Sequence, residues 1–217
     1  MITVCWAAKG GSGTTVVASS IALSESRANP PEPTLLIDLA GDVPATLGLP
    51  EPDSPGVLDW IRSDAPAPRL AGLEIAARHQ LTVLPRGLPN RHSGDIGSPR
   101  LDEFGAWVGA QRRRVVIDAG STPPPSPLAT IADHLLLVTR PCYLALRAAA
   151  GQPLRPTGVI MIDEPGRALS AGDIESAIGA PVVATLLLDP AVARAVDAGL
   201  LASRLPRAYA RQLRRAA

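Results

Sequence analysis

The residues best suited to chemistry in this sequence lie in one glycine-rich segment near its start. The segment reads Lys-Gly-Gly-Ser-Gly-Thr-Thr over residues 9–15 and follows an apolar run. Glycines let the backbone turn its N–H groups toward an anion, and a helix that begins there adds positive potential. The usual phosphate-binding loop reads G-x-x-x-x-G-K-[ST]; here Ala8 takes its first position, Gly13 its second, and Thr14 the place of its lysine. The pattern predicts a phosphate-binding loop in which Thr15 keeps the hydroxyl that ligates Mg²⁺; the alternative is a tight strand-to-helix turn without a ligand.

Two aspartates stand where a metal ion bound to a phosphate could use them. Asp118 and Asp38 each end a short apolar run that is typical of a buried strand. A carboxylate at such a strand end can hold Mg²⁺ through water. For Asp118 the alternative is a helix or turn cap, and for Asp38 it is a structural hydrogen bond. Both interpretations stay open for both residues.

Composition limits the class of protein. The 217 residues carry 21 Lys+Arg against 20 Asp+Glu, and 46% are hydrophobic, which excludes a histone-like polycation and a wholly disordered chain. Of the 21 Lys+Arg residues, 20 are arginine and Lys9 is the one lysine, so this lysine is a candidate for a role that arginine cannot fill. No apolar run is long enough to predict a membrane-spanning helix, and we expect no secretory signal because no charged segment precedes the first apolar run. With two cysteines, Cys5 and Cys142, we expect a reduced, cytoplasmic protein.

Short apolar runs alternate with helical stretches along the chain. This order predicts an α/β fold, with a mostly parallel central sheet and helices on both faces, as a single domain over residues 1–217. The proline-rich stretch 50–80 is expected to be a surface excursion rather than a second domain. The predicted strands are Ile2–Ala8, Thr34–Leu39, Leu81–Leu84, Val115–Ile117, Leu135–Val138, Gly158–Ile162 and Val182–Leu188. The predicted helices are Val16–Arg27, Val57–Ile61, Leu101–Arg112, Tyr143–Ala150, Gly172–Ile178, Ala191–Ala198 and Arg207–Arg215.

The end of the chain is basic and amphipathic. Its last 20 residues hold five arginines and no acid. A helix at about 206–216 would place Leu205, Tyr209 and Leu213 on one face. Three interpretations are open: packing of this apolar face on the sheet, non-specific DNA binding by the arginines, and an amphipathic membrane anchor. The arginines of the other face are Arg207, Arg211, Arg214 and Arg215.

The glycine-rich segment resembles the deviant Walker A box, K-G-G-x-G-K-[ST], of the ParA/MinD family of dimeric ATPases. Five further segments resemble motifs of that family, in the family's order along the chain. The six segments are distributed along the chain, so the resemblance extends over nearly the whole sequence. The further segments are Leu35–Asp38 (the second strand, before switch I), Leu81–Pro85 (the L-x-x-L-P strand), Val115–Asp118 (Walker B), Ala132–Pro141 (the A-D-x-V-x-x-V-T-x-P strand) and Asp189–Gly199 (the loop near the adenine).

The resemblance implies a site for ATP or ADP with Mg²⁺ in a homodimer. Lys9 would reach across to the nucleotide of the partner subunit, and Thr15 and Asp118 would hold the metal. Asp38 and Asp42 would belong to the catalytic switch. The remaining nucleotide contacts that the resemblance implies are Gly10, Gly11, Ser12, Gly13, Thr14, Thr15, Arg140, Pro141, Asp163, Asp189 and Pro190.

Three departures from the family pattern bear on hydrolysis. Thr14 stands where a lysine normally contacts the β- and γ-phosphates, and a threonine cannot supply that charge. Ala40 replaces the second aspartate of the switch, with Asp42 two residues later as a substitute. Asp163 and Glu164 stand where the family has an asparagine at the adenine edge. We therefore expect at most a slow ATPase.

The threonine pattern G-G-x-G-[AST]-T resembles the CpaE/TadZ branch of the family, which is associated with placing Tad/Flp pilus machinery at a cell pole. The resemblance implies a dimerising switch that positions or recruits a larger machine, such as a pilus or secretion apparatus, from the cytoplasm or peripherally at the membrane. That branch usually carries a receiver-like domain before the loop, and we expect the contacts of that domain to be absent or supplied elsewhere. Two alternatives are a partition ATPase that binds non-specific DNA and a nucleotide-free scaffold whose loop is a relic.

Overall fold

The computed structural model describes residues 1–28, 30–88 and 99–213, in which strands and helices alternate as predicted. The strands are β1 (Ile2–Trp6), β2 (Thr34–Asp38), β3 (Ile75–Ala76), β4 (Leu81–Leu84), β5 (Arg114–Asp118), β6 (His134–Thr139), β7 (Gly158–Asp163) and β8 (Val182–Leu187). The α-helices are α1 (Thr14–Ser26), α2 (Val43–Leu47), α3 (Val57–Ile61), α4 (Arg100–Gly109), α5 (Ser126–Thr130), α6 (Tyr143–Ala150), α7 (Ala171–Ile178), α8 (Pro190–Asp197), α9 (Leu201–Arg204) and α10 (Arg207–Leu213), and a 3₁₀ helix covers Ala67–Leu73.

The strands of the described residues form one sheet in the order β3-β4-β2-β5-β1-β6-β7-β8. Every neighbouring pair is parallel except β3 with β4. Parallel strands covered on both faces are built from continuous apolar runs, and every residue of β1 and β2 is buried. The predicted α/β fold with a mostly parallel sheet is confirmed. Because β1 lies between β5 and β6, the loop after β1 stands at the centre of the sheet's carboxyl edge.

Two buried clusters of apolar side chains cover the two faces of the sheet. Successive side chains of a strand point to opposite faces, so Val4 and Trp6 belong to one cluster while Cys5 belongs to the other. Helix α1 packs in the second cluster and buries Val17 and Ile21 there. The glycine-rich loop is therefore held between a central strand and a fully packed helix.

The stretch 50–80 contributes more to the fold than the sequence suggested. Its helix α3 buries Val57, Leu58 and Trp60 in the first cluster, and the 3₁₀ helix buries Leu70 there. The expectation of a surface excursion is wrong for this part, because these large apolar side chains cover one face of the sheet. The prolines that suggested an irregular segment divide the stretch into short helices, and these helices still pack in the core.

The C-terminal helix α10 packs by its apolar face. Leu205, Tyr209 and Leu213 are buried in the second cluster, which confirms the packing interpretation, while Arg207 is exposed. The predicted continuation over 214–216, with its two arginines, lies outside the described residues. Because the apolar face is already covered by the sheet, it is not available to enter a membrane. Within the described ranges, no helix is both long and apolar enough to cross a lipid bilayer.

Candidate phosphate-binding site

The glycine-rich loop leaves the sheet as soon as β1 ends. That strand ends at Trp6, two residues earlier than predicted, and the Ala7 N–H that follows donates to the carbonyl of Gly120 at 2.8 Å in the loop after β5. Gly11 and Gly13 have φ angles of +78° and +90°, which side chains other than glycine rarely adopt. The loop therefore needs glycine at these positions to turn its backbone into helix α1.

The space around the loop is open. A Cβ atom added at Gly10, Gly11 or Gly13 would meet no described atom within 4 Å, so packing does not explain the cluster of glycines. The Ser12 hydroxyl donates to the carbonyl of Lys9 at 2.8 Å and closes the turn from within. A cavity of about 520 Å³ lies against the loop, which is a size typical of small-molecule sites. The cavity is lined by residues 9–16 of the loop and helix, and by Leu39, Ala40, Asp42, Arg86 and residues 119–122.

Asp118 is buried at the end of β5 with one carboxylate oxygen unused. Its Oδ1 accepts from the Gly120 N–H at 3.0 Å, whereas Oδ2 has no hydrogen-bond partner among the described residues. Burial raises the pKa of this carboxyl, the nearby Thr15 hydroxyl opposes that rise, and the charge of Asp42 adds to it. A buried carboxylate oxygen without a donor is costly, and a cation would satisfy it. Asp118 and Thr15 together are therefore a donor set that fits Mg²⁺.

Asp38 lies directly beside Asp118, because the register of β2 and β5 pairs the two residues. Its Oδ1 accepts from the N–H groups of Ala40 at 3.0 Å and Gly41 at 2.6 Å, and its Oδ2 accepts from that of Val43 at 3.2 Å. Burial raises the pKa of this carboxyl to about 7, with a further contribution from the charge of Asp118, against the opposing effect of the three N–H groups. In this structure Asp38 holds the loop between β2 and α2 in place, and its catalytic assignment stays a prediction.

The two positions that distinguish this loop from the usual one differ in exposure. Lys9 is exposed and forms no ion pair with any described residue. Thr14 is buried at the first position of α1, and its short side chain brings no charge to the cavity. The cation of the loop itself is thus accessible to a second molecule.

Arg86 is a cavity residue that the sequence interpretation missed. It comes two residues after the end of β4, which is the neighbour of β2 in the sheet, so it reaches the same carboxyl edge as Asp38. Its Nη1 donates to the carbonyl of Ala40 at 2.6 Å. The available signal was an arginine directly after a predicted parallel strand, Leu81–Pro85, that already resembled a family motif.

Five of the predicted nucleotide contacts do not line this cavity. Arg140 forms an ion pair with Glu164 at 2.5 Å. The Asp189 side chain caps helix α8, whose first residue is Pro190. These contacts account for the side chains structurally, and their role toward a nucleotide stays a prediction. The group comprises Arg140, Pro141, Asp163, Asp189 and Pro190, at the carboxyl ends of β6, β7 and β8 and the start of α8.

Four large apolar side chains are exposed at the same edge of the sheet, and sequence reasoning did not single them out. Tyr143 and Leu144 begin α6 after β6, and Leu187 and Leu188 lie at the end of β8. Their exposed fractions lie between 47% and 69%. We name these four residues the apolar edge cluster. The two pairs follow β6 and β8, which have β7 between them in the sheet, and neighbouring exposed apolar side chains indicate a surface that another molecule covers.

Solved structures share this fold over almost the whole chain. A ParA family ATPase from Chlorobium tepidum TLS has a TM-score of 0.75 at 18% identity, with 97% of this chain and 96% of that chain covered. The septum site-determining protein MinD from Pyrococcus horikoshii OT3, complexed with Mg-ADP, has a TM-score of 0.73 at 17% identity, with 100% and 94% covered. The chain has the fold of the ParA and MinD ATPases. An McdA–ATP complex from Cyanothece also has this fold, with a TM-score of 0.63, 19% identity, and 98% and 93% covered.

No protein-family model matches the chain, and no curated protein matches it. The shared architecture is therefore carried by structures that are less than one-fifth identical to it. At this level of identity the similarity establishes the fold.

Proposed function

We propose that this protein is a dimerising nucleotide switch of the ParA/MinD type, which binds ATP with Mg²⁺ and hydrolyses it slowly or not at all. The observation that carries the proposal is the unused Oδ2 of Asp118, near the Thr15 hydroxyl, beside an open glycine loop. The N–H groups of residues 10–15 would hold the phosphates, and Thr15 and Asp118 would hold the metal. Bound Mg²⁺ supplies charge that neutralises the phosphate oxygens. Two of the similar folds are complexes with Mg-ADP and with ATP.

Slow hydrolysis is supported by two features of the cavity: position 14 carries no cation, and position 40 carries no carboxylate. Thr14 provides no cation, and Ala40 provides no carboxylate at the switch. The oxygens of Asp38 already accept three backbone N–H groups, so this residue is poorly placed to orient a water molecule. Asp42 is exposed and lines the cavity, which leaves it as the carboxylate that we propose for positioning water.

A second copy of the chain is the partner that we propose for the loop edge. Lys9 is exposed there without an ion pair to a described residue, and a phosphate of the partner's nucleotide would satisfy its charge. The apolar edge cluster stands on the same edge and would be covered in such a dimer. A partner that satisfies both features must present an anionic group to Lys9 and an apolar surface to the apolar edge cluster. A second copy with bound nucleotide offers both.

For the output of the switch we propose the positioning or recruitment of a larger assembly, with a pilus or secretion apparatus as the first candidate. The support is the threonine form of the loop, Gly-Gly-Ser-Gly-Thr-Thr over residues 10–15, which resembles the deviant Walker A box of the CpaE/TadZ branch. A related fold is described as a septum site-determining protein, which is also a positioning role.

The proposal is tested by titrating the purified protein with ATP and MgCl₂ in a calorimeter while light scattering reports its mass. We expect binding and a doubling of mass, and we expect Lys9→Ala to bind nucleotide but remain monomeric. Arg69→Ala, which removes an exposed cation that does not line the loop cavity, is the matched control and should dimerise. If Lys9→Ala dimerises like the parent, the role of Lys9 across the dimer is wrong. An absence of ATP binding at millimolar concentration would instead favour a nucleotide-free scaffold.

A basic pocket favours DNA partition as a second candidate function. Arg27 follows the end of α1, whose 13 residues separate it from the glycine loop by about 20 Å. Burial, together with the charge of Arg78, lowers the pKa of Arg27. The pocket has a volume of about 670 Å³, and no acidic residue is among its described lining residues. Its basic lining residues, which form no ion pairs with described residues, are Arg27, Arg78, His79, Arg207 and Arg211.

Phosphate backbones bind such clusters with a steep dependence on salt. In the presence of ATP, we expect the triple variant Arg78→Glu, Arg207→Glu, Arg211→Glu to lose retention on a DNA column at about 0.1 M salt, where the parent is retained. The triple variant Arg69→Glu, Arg112→Glu, Arg194→Glu, which changes the net charge equally at exposed positions outside this pocket, is the control. If the triple variant is retained like the parent, this candidate is wrong.

A further inference from the structure

We infer that Arg86 makes the phosphate contact that Thr14 cannot make, so that it binds the terminal phosphate of ATP and sets a preference for a triphosphate over a diphosphate. The inference rests on the nucleotide site proposed above. It assigns a nucleotide contact to a residue outside the glycine-rich motif, which follows β4, a strand two places away from β5 and its Asp118.

The backbone of Arg86 is held in place by hydrogen bonds from the first residues of helix α3. The carbonyls of Pro85 and Arg86 accept from the N–H groups of Val57 and Leu58 at 2.9 and 3.0 Å. A Cβ atom added at Gly56 would lie 2.3 Å from the Pro85 carbonyl oxygen, so the two segments are in direct contact. Arg86 therefore extends its side chain from a rigid point at the carboxyl edge of the sheet, where geometry suited to a ligand can be maintained.

The side chain lies along the loop that Asp38 holds in place. Its Cδ is 3.2 Å from the position that a Cβ of Gly41 would take, and its Nη1 donates to the Ala40 carbonyl at 2.6 Å. Ala40 and Gly41 are the residues whose N–H groups Asp38 accepts. Arg86 thus contacts the loop on one side and lines the phosphate cavity on the other.

The guanidinium group has more donors than the described residues satisfy. It carries five N–H groups, the Ala40 carbonyl accepts one of them, and Nε is buried without a partner. No described carboxylate forms an ion pair with it. Guanidinium groups bind phosphate through two parallel hydrogen bonds, which lysine cannot do. The unsatisfied cation of Arg86 is therefore suited to a phosphate group in the cavity.

The order of the strands indicates which phosphate Arg86 would contact. In phosphate-binding loops the backbone holds the inner phosphates, and Mg²⁺ bridges toward the terminal one. Moving from the loop after β1, the sheet presents first Asp118 of β5, then Asp38 of β2, then Arg86 after β4. Arg86 lies beyond the residue proposed for the metal, as seen from the loop. A contact from that side reaches the terminal phosphate, which a diphosphate lacks.

The test compares the affinities of the parent and Arg86→Ala for a non-hydrolysable ATP analogue and for ADP, both with MgCl₂, by calorimetry. We expect Arg86→Ala to lower the affinity for the ATP analogue at least tenfold and that for ADP less than about threefold, because only the triphosphate loses a charge-assisted contact. Arg86→Lys keeps the charge without the planar fork and should be intermediate. Adding Thr14→Lys to Arg86→Ala returns a cation to the cavity and should recover most of the affinity for the ATP analogue. Circular dichroism and thermal midpoints would confirm that all variants are folded, and Arg69→Ala is again the control.

Each result has a definite meaning. Equal losses for the ATP analogue and ADP would show that Arg86 only supports the loop at Ala40, and unchanged affinities would show that it makes no contact; either result overturns the inference and leaves the proposed function intact. If the parent binds neither nucleotide at millimolar concentration, the proposed function and this inference both fail.

Discussion

The pH dependence of stability tests the environment of the buried carboxyl pair at the end of β2 and β5. Replacing Asp38 by asparagine removes the titrating group and preserves its size. Burial, with the neighbouring charge of Asp118, raises the pKa of Asp38 from 3.8 to about 7. The folded state therefore holds a proton on Asp38 that the unfolded state releases. The stabilisation that this proton provides is fully present below about pH 4 and is lost as the pH rises toward 7.

The size of the effect follows from the two pKa values. Between them, each pH unit costs the folded state about 1.4 kcal/mol, and the cost levels off as the folded pKa is reached. From pH 5 to pH 7 the parent should lose about 2 kcal/mol of unfolding free energy that Asp38→Asn does not lose. The replacement itself also costs about 1–3 kcal/mol, because the NH₂ group of the asparagine faces a backbone N–H where Asp38 presents a carboxyl oxygen. That offset is independent of pH, so only the slopes are compared.

Urea unfolding of both proteins at several pH values between 5 and 8, with EDTA and without nucleotide, measures the two slopes. Asp64→Asn, which makes the same replacement at an exposed position, controls for the loss of a negative charge and should follow the parent. Parallel curves for the parent and Asp38→Asn would refute the reasoning, because they would mean that Asp38 ionises in the folded state as it does in the unfolded chain.

Three further predictions concern packing, the metal site and the dimer. Gly48 and Gly179 have nearly the same φ angle, +73° and +74°, but differ in the space around them. A Cβ atom added at Gly48 would lie 1.7 Å from the Gly199 carbonyl oxygen, whereas one added at Gly179 would meet no described atom within 4 Å. In urea unfolding Gly179→Ala should therefore cost about 1–2 kcal/mol, and Gly48→Ala about 1–3 kcal/mol more; equal costs would contradict the steric argument. Asp118→Asn should raise the stability of the nucleotide-free protein by about 1 kcal/mol, because it removes a buried charge, and should abolish the effect of Mg²⁺ on ATP binding in calorimetry. Lys9→Ala should weaken ATP binding only at protein concentrations where the parent dimerises, whereas Arg86→Ala should weaken it at all concentrations, which a dilution series of titrations would show.

The alternation of apolar runs was sufficient to predict the seven parallel strands and most helices, because strands buried on both faces leave a pattern that few other structures share. It did not predict the two-residue antiparallel strand β3. The same pattern could not predict what the side chains after each strand do. Whether Asp38 would face a ligand or accept backbone N–H groups depends on the path of the loop after β2, which local sequence does not determine. The stretch 50–80 was misjudged because its prolines suggested irregularity, although five of its apolar side chains, at Val57, Leu58, Trp60, Ile61 and Leu70, are buried in the core.

Arg86 and the apolar edge cluster were missed for a related reason. Each is ordinary in its own segment, and its significance comes from the neighbours that the sheet order brings to it. Strand β4 is third from β1 in the sheet, yet it is separated from β1 by more than 70 residues of chain. Sequence spacing therefore carries no information about the distance between Arg86 and the glycine loop. Strand order supplies that information, and it can be predicted only once the fold has been recognised.

In the usual loop one lysine both binds the triphosphate and stabilises its reaction, whereas in this cavity the cations lie at two other positions. A lysine at position 14 would stabilise a bound triphosphate and its reaction within one chain. Here Thr14 is uncharged, and the cations that line the cavity are Lys9, which is exposed, and Arg86, which contacts the loop after β2. On the proposed function, the first of these acts only when a second copy is present, and the second acts only while the loop is in place. Nucleotide binding would then depend both on the position of the loop after β2 and on dimerisation. The dimer could therefore form and dissociate with changes in either one, without ATP hydrolysis.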